Sequence, residues 1–119
     1  MATLLRLHEY RRKARAVFFT RTELNQLLSM YSRRVMRGEW RDYAIDQQEN
    51  AVRFSVFRHT HERPLYTLVK FAPGTSRQGD YAVLSGMQRL ASAQTLGEVL
   101  QSLQRQLPAA EAVDLEKYR

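Results

Sequence analysis

Two acids and a pair of histidines are the residues whose types and spacing could do chemistry. Asp42 and Asp46 lie on one side of an alternating run that starts at the single tryptophan, Trp40. Paired carboxylates are the usual equipment of general acid and base catalysis. Four residues of extended chain, at about 3.3 Å each, would hold these two about 13 Å apart. The carboxyl pairs of glycoside hydrolysis stand about 5 to 9.5 Å apart, so distance removes the pair. The residues have plainer uses, Asp42 as the partner of a neighbouring arginine and Trp40 as the anchor of a helix–strand corner.

His59, His61 and Glu62 bring two imidazoles and a carboxylate to one polar stretch. Zinc takes three or four ligands, and the remaining histidine, His8, is remote in sequence. A solvated turn accounts for the stretch better, and neither a metal nor a cofactor is expected. The chain has no cysteine, which excludes disulfides, thiolate zinc sites and cysteine nucleophiles. No Ser-His-acid order stands out, and no glycine-rich turn joins a strand to a helix to cradle a phosphate. An enzyme is therefore the less expected class.

Charge is the stronger signal. The formal net charge is +7 over 119 residues. Residues 1–22 carry six bases against Glu9, or +5, while residues 23–119 carry thirteen bases against eleven acids, or +2. The excess belongs to an N-terminal arm in which Arg11, Arg12, Lys13 and Arg15 follow Tyr10. Such a cluster neutralises phosphates and releases counterions. It would also be drawn to an acidic protein or to anionic lipid.

Positioning these groups falls to a modest set of elements. Thr20-Arg21-Thr22-Glu23 has the form of a capping box, and Leu24, Leu27, Leu28, Tyr31 and Val35 then follow one helical stripe. Arg33, Arg34 and Arg37 suit the negative end of that helix dipole, and Gly38 supplies the residue that ends it. From Trp40 the period changes to two. Strands are expected from Trp40 to Asp46, Ala51 to Phe57, Leu65 to Phe71, Tyr81 to Leu84 and Met87 to Ala91, with Ala16–Phe19 as a further short β-prone run. Ala72–Gly79 is the longest internal loop. Thr95-Leu96-Gly97-Glu98 opens a second helix, whose Leu96, Val99, Leu100, Leu103 and Leu107 repeat the spacing of the first, and Pro108 ends it.

The fold class expected is α+β, a five- to six-stranded, mainly antiparallel meander with two amphipathic helices packed on it. With 44% hydrophobic and 26% charged residues, one globular domain over residues 16–108 is the natural division. The basic arm, 1–15, has no capping signal and its order is left open; residues 109–119 form a tail. If Tyr43, Ile45, Val52, Phe54, Val56, Leu65, Val69 and Phe71 face the helices, the other face gathers Trp40, Arg53, Phe57, Tyr66, Leu68 and Lys70. That face would be an aromatic and basic platform for single-stranded nucleic acid, the seam of a homodimer, or ground covered by a helix. No apolar run approaches the length of a membrane span. A cytoplasmic location is expected, although an Arg-rich start is also the composition of an organelle transit peptide.

The run Gly38-Glu39-Trp40-Arg41-Asp42-Tyr43-Ala44-Ile45-Asp46 carries a resemblance. Together with Val17-Phe18-Phe19-Thr20, Phe54-Ser55-Val56-Phe57-Arg58 and Pro64-Leu65-Tyr66, it resembles an uncharacterised bacterial family known as domain of unknown function 2794. The likeness spans about residues 17 to 107, outside the arm and tail. It implies a bacterial cytoplasmic protein and assigns no activity, cofactor or site residue. The function expected from the residues themselves is a non-enzymatic module contacting nucleic acid through Arg11, Arg12, Lys13 and Arg15, and through Trp40, Arg53, Phe57, Tyr66 and Lys70. The alternative is a protein-interaction module, a homodimer or one docking on a larger partner, with no nucleic-acid role.

Overall fold

A computed structural model describes residues 16–59 and 62–107. The arm, the tail, Thr60, His61 and Pro108 lie outside the described residues. The chain runs as α1 (Arg21–Met36), β1 (Asp42–Gln47), β2 (Ala51–Phe57), β3 (Tyr66–Phe71), β4 (Tyr81–Ser85), β5 (Gln88–Ala93) and α2 (Leu96–Gln106). All neighbouring strands are antiparallel and adjacent in sequence order, an α+β meander.

Local chemistry sets the helix ends. Thr20 Oγ1 accepts the Glu23 amide at 3.1 Å while Glu23 Oε1 accepts the Thr20 amide at 2.8 Å, so the expected capping box closes in both directions. At the other end Gly38, with φ of 76°, donates to Val35 O, and Glu39 donates to Arg34 O. That is a Schellman ending, and the left-handed residue it requires is a glycine. At α2 the Thr95 hydroxyl accepts the Glu98 amide and donates to the Glu98 carboxylate.

Both helices pack on one face of the sheet, side by side. A groove lined by Ser29 and Arg33 of α1 and by Leu100 and Gln104 of α2 runs between them. Leu27 and Met30 of α1, and Val99, Leu100 and Leu103 of α2, meet Val52, Phe54, Val56, Leu68 and Val83 of the sheet in a single core. Each such side chain contributes about 1.5 to 3 kcal/mol by leaving water.

Of the five to six strands expected, the described residues form five, and two details need correction. Ala16–Phe19, expected as a short strand, is not one. Its alternation is real, with Val17 and Phe19 buried and Phe18 exposed. Its carbonyls, however, are taken by side chains: Gln47 Nε2 donates to Val17 O and Lys70 Nζ to Phe18 O. The second concerns β3, which faces the opposite way. Leu68 pairs with Phe54 on one side and Val83 on the other, so Tyr66, Leu68 and Lys70 look toward the helices while Val69 and Phe71 join Arg53 on the face opposite α1 and α2. A one-residue slip exchanges the faces of a strand, and β3 is apolar on both, so its own pattern does not set the register.

Candidate nucleic-acid interface

The five sheet residues nominated for a platform do not share a face. Trp40 precedes β1 and escapes its alternation. It lies in the core, 2% exposed, with its ring centroid 6.3 Å from both Tyr31 and Tyr66. It anchors the corner between α1 and β1 and has no face free for a base to stack on. Tyr66 is half-buried beneath it. Arg53 is exposed on the opposite side of the sheet, between Asp46 and Val69, and Phe57 is half-buried on that same side, opposite Asp42. Arg11, Arg12, Lys13 and Arg15 lie outside the described residues.

Lys70 has an internal task. Its Nζ donates to Glu23 Oε1 at 2.7 Å and to Phe18 O at 2.9 Å, tying the start of α1 and the segment before it to β3. Glu23 Oε2 also accepts the Tyr81 hydroxyl. Burial alone pushes the Glu23 pKa up. The bonds from Lys70, Tyr81 and Thr20, with the Lys70 charge, outweigh it and hold the carboxyl below its ordinary value. Tyr81 moves the other way, raised by burial and by the carboxylate it serves. Lys70 also borders a groove of about 820 Å³ lined by Ala16, Val17, Phe18, Asn50, Pro73 and Thr75. With its ammonium committed to Glu23 and Phe18, Lys70 acts there as a clamp and not as a nucleophile.

The acids considered for catalysis are equally occupied. Asp42 Oδ1 accepts the next amide, that of Tyr43, at 2.8 Å, and no arginine among the described residues pairs with Asp42 as expected. Asp46 Oδ2 accepts from Gln48 Nε2 at 3.4 Å. Among the described residues no three His, Asp or Glu side chains gather as metal ligands.

A basic corner was not legible in the sequence. Arg41, and Arg58 and Arg63 of the β2–β3 connection, are all exposed at one end of the sheet. Only the β1–β2 pairing brings the first two together, and that pairing is a non-local fact.

A family model described as "Protein of unknown function (DUF2794)" matches residues 17–100. The chain belongs to that family. The DUF2794 match takes in α1, the five strands and the start of α2, and therefore Trp40, the Glu23–Lys70–Tyr81 clamp and the arginine corner; residues 1–16 fall outside it. No curated protein and no solved structure matches the chain.

Proposed function

We propose that this DUF2794 domain is a binding module, not an enzyme, and that its ligand is nucleic acid held through the phosphate backbone in a bacterial cytoplasm. The observation that carries the reading is where the charge is attached. The arm, residues 1–15, with five bases against Glu9 or +4, leads into Val17 and Phe18, whose carbonyls are gripped by Gln47 and Lys70. The basic arm thus extends from a fixed point on a folded domain. The burial of Trp40 argues against base stacking on the sheet and for contacts made by charge.

Fluorescence anisotropy with labelled 24-base-pair duplex DNA and matching single strands, over a salt series, tests this. Five phosphate contacts from Arg6, Arg11, Arg12, Lys13 and Arg15 correspond to a log–log salt slope of about −4.5 on duplex. Deleting residues 1–15 should remove most of it. Absence of binding at low salt, or binding indifferent to salt, would sink the reading.

The second reading, a protein-interaction module, has its own support. The face of the sheet opposite α1 and α2 carries Phe57, Phe71 and Leu84, all half-buried, around Arg53. Its decisive measurement is oligomeric state.

A further inference from the structure

Two cations are matched to an acid: Arg34 bonds Glu39 at 2.9 Å and Lys70 bonds Glu23. Arg41, Arg58 and Arg63 are exposed, have no carboxylate partner among the described residues, and differ from the other exposed arginines in converging on one place.

The backbone brings them to one place. The Arg41 amide donates to Phe57 O at 2.8 Å, and Asp42 pairs with Phe57, so Arg41 and Arg58 leave adjacent strands at the same end of the sheet. The Leu65 amide donates to Val56 O at 2.8 Å, which returns the β2–β3 connection, and with it Arg63, to that end. The α1 ending at Gly38 also stands there. Of the nearby acids, Glu39 is matched by Arg34, while Asp42, whose Oδ1 accepts the Tyr43 amide, and the exposed Glu62 keep their charges, so two acids stand against the three arginines. The corner is therefore net positive.

The arm starts from the other end. Gln47, which grips Val17, is the last residue of β1, whereas Asp42, beside Arg41, is its first. Five strand steps at about 3.3 Å put the anchor of the arm at Val17 about 17 Å from the corner. At about 3.4 Å per base-pair step, a duplex covers that distance in about five steps.

Building on the nucleic-acid reading, we propose that Arg41, Arg58 and Arg63 form a second phosphate-contact surface, so that one nucleic acid is held at both ends of the sheet. Arginine forks match phosphate oxygens, and the core position of Trp40 leaves the corner to read backbone and not bases. Two weak contacts on one ligand reinforce each other because the second forms at high effective concentration.

The test uses the full chain carrying Arg41→Gln, Arg58→Gln and Arg63→Gln together. Its salt slope should fall by about 2.7 on duplex and about 2.1 on a single strand, three contacts in either case. The counterpart with Lys at all three positions should keep most of the slope, and Arg105→Gln, exposed in the last turn of α2, should leave it unchanged. If the triple variant loses its fold, single Arg41→Gln and Arg58→Gln variants serve instead, each expected to lower the duplex slope by about 0.9. A parent that binds through its arm while the Gln variants keep the full slope overturns the second surface and leaves the nucleic-acid reading standing. A parent that binds nothing at low salt overturns both.

Discussion

Glu23 is where three elements meet, since its carboxylate bonds Lys70 of β3, Tyr81 of β4 and the amide that caps its own helix. The sequence announces only the last of these. A capping box is a local motif, whereas the partners 47 and 58 residues away are brought by the fold. The depressed pKa has a sign. A carboxyl whose folded pKa lies below its ordinary 4.5 adds stability that is fully present above that value and is lost as pH falls through the folded pKa. Glu23→Gln should therefore cost about 2 to 4 kcal/mol at neutral pH, because it strands Lys70 half-buried. It should also flatten the acid limb of the stability curve, read as urea midpoints from pH 7 down to 3. An unchanged acid limb would show that other carboxyls control it. Trp40 makes the complementary case: a corner anchor could be foreseen, but the count of residues between Gly38 and β1 does not say which way its ring turns.

At the scale of elements, the helices were legible and the sheet only partly so. A helix carries its period and its caps in neighbouring residues, so α1, α2 and the Gly38 ending follow from local chemistry. Strand order followed from short connections. The facing of β3 did not, because Leu65, Val69 and Phe71 are as apolar as Tyr66 and Leu68 and only pairing with β2 and β4 chooses between them. The β3–β4 loop adds a constraint of its own. Gly79 has φ of +127°, and a Cβ there would stand 2.5 Å from Ala93 O, backbone against backbone. Gly79→Ala should destabilise the domain by about 1 to 3 kcal/mol or more, in strain that no side-chain rotation relieves. The matching substitution at Gly74, where a Cβ meets nothing within 4 Å, should cost less despite its φ of +75°. Equal urea midpoints for the two variants would contradict the close approach.

For the molecule as a whole, α1 and α2 cover one face of the sheet, no helix among the described residues covers the other, and one end of the sheet is positively charged. On the homodimer reading, Phe57, Phe71 and Leu84 on that face form the seam. Under that reading, light scattering after gel filtration should give a dimer mass that Phe71→Ser shifts toward the monomer. A monomer at all concentrations would withdraw the homodimer and leave the charged surfaces as the functional ones. No helix among the described residues is long and apolar enough to cross a membrane.

By itself the sequence determined the class of fold, the ends of both helices, the membership that residues 17–100 carry, and the placing of most excess charge in the arm. Each is written in neighbouring residues or in composition. Only the tertiary structure decided that Trp40 is interior, that Lys70 is a clamp, that β3 turns its other side to the core, and that Arg41 shares a corner with Arg58 and Arg63. The last three depend on register between strands, and the turn of Trp40 on the packing of α1 against the sheet; both are set by burial and hydrogen bonding summed over the whole domain and are encoded in no single stretch of chain.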